Sequence, residues 1–165
     1  MIDTPPASGS PGRAVRLFWE DFRVGEVREF GNYQVTREAV LAFAREFDPQ
    51  PFHLDDAAAE ASLFGRLAAS GWHTCAMAMR MLCDAYLLES ASLGSPGIES
   101  LKWLAPVYPG DMLSVRFTVL ESRRLASRPG VGLIRSSWRV LNQDGVAVLT
   151  MEGHGMFRQR AVPAP

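Results

Sequence analysis

WHTCAMAMRMLCDAYLL, residues 72–88, is the stretch that decides the fold of this chain. It is rich in residues that favour helices, and only Arg80 and Asp84 carry a charge. A helix that is apolar nearly all round is buried on most of its sides. In a chain of 165 residues, burial of such a helix requires that the other segments wrap around it.

The second half of the chain contains segments that can wrap around this helix. Residues 112–119 alternate strictly, with Leu113 and Phe117 on the apolar face, which is the pattern of a half-buried strand. The sequence Asn-Gln-Asp-Gly at 142–145 predicts a hairpin turn. Four strands in series are therefore predicted, at 98–105, 112–119, 131–141 and 146–157, the first ended by Pro106.

The first half predicts one early strand followed by a helix. Residues 27–35 have the composition of a strand, and Thr36 is suited to cap the helix that follows. That helix must end near Asp48, because Pro49 and Pro51 cannot continue it. The order of elements predicts an α+β fold, in which an antiparallel sheet with helices on one face curves around the long apolar helix.

Length and composition limit the organisation and the partners. The length suits one domain, predicted at 15–160, between a flexible tail at 1–14 that is rich in Pro, Ser and Gly and a short tail at 161–165. The net charge of −1 argues against a nucleic-acid partner. No apolar run reaches the roughly 20 residues that span a bilayer, and the N-terminus lacks the apolar core of a signal peptide.

The two cysteines indicate the compartment. Cys75 and Cys83 are eight residues apart on the predicted helix, which separates their Cα atoms by about 12 Å at 1.5 Å per residue. A disulfide needs less than about 7 Å, so no intrachain bond between them is expected. The chain is therefore predicted to be cytoplasmic, with no membrane partner.

The residues best suited to chemistry lie in Phe-Asp-Pro-Gln-Pro-Phe-His-Leu-Asp at 47–55. Asp48 and His53 are five residues apart, and Pro49 and Pro51 stiffen the chain between them. A carboxylate and an imidazole held rigidly suit a general acid/base pair, because proton transfer needs hydrogen-bond reach. The alternative is an aspartate that ends a helix, followed by a histidine in an ordinary loop.

This stretch resembles the hydratase motif of the MaoC-like family, which includes the (R)-specific enoyl-CoA hydratases. That motif ends in Gly-Asp-x-Asn-Pro-aliphatic-His, and Asp48, Pro51 and His53 stand at the matching spacing. The chain departs from the motif at three positions, Phe47, Gln50 and Phe52. The longer amide of Gln50 is expected to rearrange a supporting hydrogen bond, which affects efficiency and substrate range more than reaction type.

Two further segments carry the resemblance. Residues 64–71 are similar to the family's lead into its central helix, and Leu-Ala-Pro-Val-Tyr-Pro-Gly-Asp at 104–111 is similar to its signature before the third strand. The resemblance covers roughly residues 18–158. It implies a hotdog fold, in which an antiparallel sheet wraps around a long helix. It also implies a homodimer or higher homo-oligomer, with acyl-CoA bound near the subunit interface.

The resemblance implies a mechanism as well. Asp48 and His53 hold one water, and one of them accepts its proton as hydroxide adds to C3 of a trans-2-enoyl thioester; a proton then reaches C2. The N–H of Gly71 binds the thioester oxygen, in keeping with the free N–H groups and positive dipole end of a helix N-terminus. A glycine there lets a ligand approach the backbone closely. The alternative is that Gly71 merely ends the preceding loop.

Arg66 and His73 are further binding candidates. Arg66 could contact a phosphate of CoA, or it could be a solvated loop residue. His73, in the first turn of the long helix, could face the site, but a packed histidine with satisfied nitrogens is favoured. His154 in the last strand is interpreted as structural. Three scattered histidines lack zinc-ligand spacing, so we expect no metal, and no cofactor except CoA as part of the substrate.

The sequence leaves two other functions open. A hotdog acyl-CoA thioesterase also activates water with a carboxylate but attacks C1, whereas the Asp48 and His53 pair with its prolines favours hydration. The second alternative is a non-catalytic module that binds acyl thioesters, because the motif departs at three positions. Neither the direction of the reaction nor the choice between CoA and a carrier protein follows from the sequence.

Overall fold

The structure, a computed structural model, describes residues 14–160, so the two predicted tails lie outside these residues except for Ala14. Its strands are β1 (Val27–Gln34), β2 (Ser92–Trp103), β3 (Met112–Arg124), β4 (Val131–Leu141) and β5 (Ala147–Arg158). Its α-helices are α1 (Arg37–Phe47), α2 (Asp56–Glu60) and α3 (Gly71–Ala85), and short 3-10 turns lie at Trp19–Asp21, Pro51–His53 and Leu87–Glu89. Within the described part of the chain, no helix is both long and apolar enough to cross a membrane.

The strands form one antiparallel sheet in the order β1-β3-β4-β5-β2, so β1 and β2 are its edges. The buried side chains of α3, such as Met77 and Leu82, share one hydrophobic core with Phe117 of β3 and Val140 of β4. The apolar residues of β3 alternate as predicted because successive side chains of a strand point to opposite faces of the sheet. The predicted α+β hotdog fold is confirmed.

The position of β2 differs from the prediction. The strand runs from Ser92 to Trp103, whereas 98–105 was expected from the pattern. Its first half, Leu-Gly-Ser-Pro-Gly, has the composition of a turn. Gly94 and Gly97 have positive φ, and the pairing with β5 shifts register around both. Pairing with β5 therefore makes a strand of a segment that has no strand pattern of its own.

One side of α3 is exposed, so the prediction that this helix is buried on most sides is wrong for a single chain. Trp72 is 60% exposed and Met79 is 50% exposed. A single sheet covers only the face against which it packs, which buries Met77 and Met81 and leaves the opposite face open.

Gly132 in β4 packs directly against the indole of Trp19. A Cβ at this position would overlap the ring, so we expect Gly132→Ala to displace the indole and to lower the free energy of unfolding by about 1–3 kcal/mol. Thermal denaturation measures the loss. Arg139→Ala, at an exposed position of the same strand, is the control. An unchanged melting temperature in Gly132→Ala would contradict this packing.

Candidate active site

The local sequence turns Asp48 and His53 toward each other. α1 ends at Phe47, and Asp48 leaves the helix with a φ of −149°, because the residue before a proline disfavours the helical conformation. The chain then turns through the 3-10 segment Pro51–His53. Both side chains line one cleft beside the N-terminus of α3.

The imidazole of His53 is buried in one defined orientation. The residue is 4% exposed, and its Nδ1 lies 2.8 Å from the carbonyl oxygen of Ala68. Because a carbonyl oxygen only accepts, Nδ1 carries the hydrogen. The other ring nitrogen, Nε2, lies 3.6 Å from Oδ2 of Asp48. In the neutral ring Nε2 is therefore an acceptor that faces a second acceptor.

The carboxylate of Asp48 accepts a hydrogen bond on each oxygen. Ser70 Oγ donates to Oδ2 at 2.6 Å, and Gln50 Nε2 donates to Oδ1 at 2.7 Å. The bond from Ser70, helped by the bond from Gln50 and the charge of His53, outweighs desolvation and holds the pKa of Asp48 below its ordinary value. Asp48 is therefore ionised at neutral pH and can accept a proton from water.

The cleft around this pair has a volume of about 490 Å³. The rings of Phe52 and Phe64 pack beside the imidazole, with centroids 4.7 and 5.5 Å from it. Residues 103–107 form another part of the wall, and residues 69–72 with Thr74, at the N-terminus of α3, complete it. A concave, largely apolar cleft with a few convergent polar groups is the usual form of a small-molecule site.

Gly71 is the first residue of α3 and lines the cleft. Within residues 14–160 its N–H has no hydrogen-bond acceptor, as is usual in the first turn of a helix. The indole of Trp103 lies 2.6 Å from the place where a Cβ would be, and its Nε1 donates to Gly71 O at 2.9 Å. Packing against Trp103 is thus a second reason for glycine here, beside the predicted approach of a ligand.

Known proteins share both the sequence pattern and this architecture. The family model described as the MaoC like domain matches residues 21–135, which is more than half of the chain. The chain belongs to the MaoC-like family. The MaoC-like dehydratase from Rhodospirillum rubrum is 42% identical, with a TM-score of 0.82, over 89% of this chain and 100% of that chain.

Two further proteins are similar to this MaoC-like protein over most of its length. The R-hydratase PhaJ1 from Pseudomonas aeruginosa is 25% identical, with a TM-score of 0.70, over 90% of this chain and 94% of that chain. The uncharacterized protein YdeM of Bacillus subtilis is 26% identical over 133 residues, which is 81% of this chain and 93% of YdeM. The family thus includes hydratases and dehydratases.

Of the other residues predicted for the site of this MaoC-like protein, Gln50 lines the cleft and Arg66 does not. Gln50 lines the cleft and contacts Asp48. The guanidinium of Arg66 is exposed and lies 3.8 Å above the ring of Tyr108, outside the residues that line the cleft. This arrangement agrees with the solvated-loop interpretation of Arg66 and gives no contact with Asp48 or His53.

His73 is packed away from the cleft. Its ring stacks on Phe43 at 4.7 Å with an interplanar angle of 10°, and burial lowers the pKa of His73. The position agrees with the packing that we favoured, but the expectation of satisfied nitrogens is wrong for one of them. Nδ1 of His73 is buried and has no hydrogen-bond partner among residues 14–160.

A second cavity, of about 240 Å³, lies along the middle and C-terminal end of α3 in this MaoC-like protein. Met79, Leu82 and Trp138 are among its lining residues, and neither Asp48 nor His53 is. His154 also lines it and has Nδ1 at 3.4 Å from Oε1 of Glu99. In the described range 14–160, no three His, Cys, Asp or Glu side chains are grouped so that they could hold a metal ion.

Ser70 and Trp103 are cleft residues that the sequence patterns do not single out. A serine just before a long helix is the signature of an N-cap, so the role of Ser70 as the N-cap of α3 could have been predicted from the sequence. Its contact with Asp48, 22 residues away, could not. Trp103 contacts Gly71 across 32 residues, and no local pattern predicts that contact.

Proposed function

We propose that this MaoC-like protein adds water across the trans-2 double bond of an enoyl thioester, or removes water in the reverse direction. The observation that carries the proposal is the distance of 3.6 Å between Asp48 Oδ2 and His53 Nε2 at a largely apolar cleft. When the imidazole carries its hydrogen on Nδ1 alone, both atoms are acceptors, and they repel each other unless a donor with two hydrogens lies between them. Water is such a donor.

The geometry of the pair suits one bridging water. A water about 2.8 Å from both atoms would see them at an angle of roughly 80°, which its two O–H bonds can approach. One acceptor takes a proton as the oxygen bonds to C3, and the electron pair of the double bond moves toward the thioester oxygen. The electron pair then returns to form a bond between C2 and a proton, and the acceptor gives up the proton that it took, so the elements of one water are added.

The N–H of Gly71 would stabilise the charge that develops on the thioester oxygen. A free N–H at a helix N-terminus is a donor that is already oriented before reaction. Such a donor is typically worth about 3 kcal/mol of barrier. The proposal needs no metal or further cofactor, because side chains activate the water. CoA or a carrier protein would hold the acyl chain, and we place the reaction in the cytoplasm.

The experiment is an assay of crotonyl-CoA with two readouts. Hydration removes the absorbance of the conjugated double bond and releases no thiol, whereas a thioesterase releases free CoA that a thiol reagent detects. We expect loss of absorbance without thiol, and then a preference within a panel of enoyl-CoA and 3-hydroxyacyl-CoA chain lengths. Release of thiol would show that the protein hydrolyses the thioester instead of hydrating the double bond. No reaction across the panel would favour a non-catalytic acyl-binding module.

We further expect a homodimer at least. The edge strand β2 carries the exposed apolar residues Leu93, Ile98 and Trp103, and an open apolar edge is a surface that proteins usually cover. Trp103 and its ring neighbour Trp72 of α3 are both exposed and both line the cleft, so a second copy at this edge would also help to enclose the cleft. Light scattering at micromolar concentration should give at least twice the chain mass of 18.2 kDa.

The edge itself can be tested by substitution. Ile98→Asp places a charge on β2 and should raise the monomer fraction, whereas Arg139→Ala, on the interior strand β4, should leave the mass unchanged. A wild-type chain that scatters only as an 18.2 kDa monomer would rule out the dimer.

A further inference from the structure

Ser70 is a buried hydroxyl between the candidate base and the N-terminus of α3. The residue is 1% exposed. Its Oγ accepts the N–H of Trp72 at 3.2 Å and donates to Oδ2 of Asp48 at 2.6 Å. Because an amide N–H can only donate, the one hydroxyl hydrogen is committed to the carboxylate. The oxygen that receives it is the one that lies 3.6 Å from His53 Nε2.

We propose that Ser70 is a positioning residue, which fixes the carboxylate oxygen that activates water and ties that oxygen to the first turn of α3. The inference rests on the proposed hydration. Ser70 is the N-cap of α3, and Gly71, whose N–H would bind the thioester oxygen, is the next residue. One side chain therefore links the base to the donor at the other end of the reacting enoyl group.

Two hydrogen bonds, one to each carboxylate oxygen, orient Asp48. Gln50 holds Oδ1, and Ser70 holds Oδ2. Rotation of an aspartate carboxylate about the Cβ–Cγ bond has no sharply preferred angle. Hydrogen bonds are therefore needed to fix the positions of the two oxygens. Without the Ser70 hydroxyl, Oδ2 can turn away from His53. A carboxylate oxygen accepts more than one hydrogen bond, so Ser70 leaves room for water.

The charged surroundings of Asp48 make the effect of Ser70 measurable. From the turn Pro51–His53, the titratable group that faces the carboxylate is His53. From α3, the contact is the uncharged Ser70, while His73 of that helix stacks on Phe43. The hydrogen bond from Ser70 is the largest influence on the pKa of Asp48 and lowers it. Removal of the hydroxyl therefore raises this pKa.

The test is Ser70→Gly, because glycine removes the hydroxyl but is tolerated as an N-cap. Thr36→Gly is the matched control, since it removes the N-cap hydroxyl of α1, which bonds the N–H of Ala39 and does not contact Asp48. NMR follows the carboxyl carbon of Asp48 against pH in both variants and the wild type, over the range in which each is folded. If Ser70→Gly does not fold, Ser70→Ala takes its place.

The inference expects Asp48 to ionise at higher pH in the Ser70 variant only. The wild-type carboxylate, with its lowered pKa, stays ionised to lower pH, whereas the carboxylate of the variant becomes protonated at a higher pH. Coincident titrations of the wild type and the Ser70 variant would overturn the inference. So would an equal upward shift in Thr36→Gly, because that would trace the change to general loosening of the fold.

Kinetics with crotonyl-CoA provide the second readout. The Ser70 variant should lose about tenfold in kcat with little change in KM, because a charge-assisted hydrogen bond is lost from the reacting group and not from the acyl-binding walls. A kcat equal to that of Thr36→Gly would overturn the inference. If the wild type hydrates no thioester, the proposed function fails, and the NMR titration still decides whether Ser70 holds Asp48.

Discussion

Asp48→Asn and His53→Ala are each expected to slow the hydration of crotonyl-CoA by about 10² to 10⁴, the usual contribution of a general acid or base. Asparagine keeps the shape of aspartate but cannot accept a proton. Alanine removes the acceptor Nε2 that lies 3.6 Å from Asp48 Oδ2. Because both groups would hold one water, they act as a unit, and the double mutant should be little slower than either single mutant.

Matched controls separate this loss from damage to the fold. Asp55→Asn makes the same chemical change at the N-cap of α2, where asparagine also caps well. His154→Ala removes a histidine that lies at the second cavity. Both controls should keep most of the activity. His53→Ala leaves the carbonyl of Ala68 without its donor, so melting temperatures are measured alongside.

Two outcomes would show that Asp48 and His53 are not the catalytic pair. One is near-normal turnover in Asp48→Asn. The other is a double mutant whose losses simply multiply, since independent groups would behave that way. A loss of rate in proportion to the fall in melting temperature would indicate that both residues have a structural role.

Gly71→Ala is expected to lower kcat/KM by about 10²-fold. The added methyl group would lie 2.6 Å from the indole of Trp103, so either the indole or the first turn of α3 must move. A displacement of about 1 Å at a reacting centre can cost that much. The N–H of residue 71 remains, so the loss would come from its position.

A second substitution tests the cause. Trp103→Leu makes room for the methyl group, so Gly71→Ala should cost much less in a Trp103→Leu background than in the wild type. Steady-state kinetics of the four proteins in this cycle measure the difference. An equal cost in both backgrounds would show that contact with Trp103 is not the reason for a glycine at position 71.

The site was predictable where the residues are close in sequence. Asp48 and His53 are five residues apart with two prolines between them, so the chain can hardly separate them, and the structure places the pair in one cleft. The roles of these residues stay predictions until the variants are measured. Ser70 lies 22 residues from its partner Asp48, and Trp103 lies 32 residues from its partner Gly71, separations over which no local pattern operates.

The sequence by itself determined the elements whose cause is local. The prolines after Asp48 end α1, the alternation at 112–119 makes a strand, and the apolar stretch at 72–88 makes a buried helix face. Only the tertiary structure decided that Ser92 begins β2 and that one side of α3 stays open. Periodicity and turn chemistry act between neighbours in the chain, whereas strand pairing, and the side of a helix that a sheet covers, depend on segments that meet only after folding.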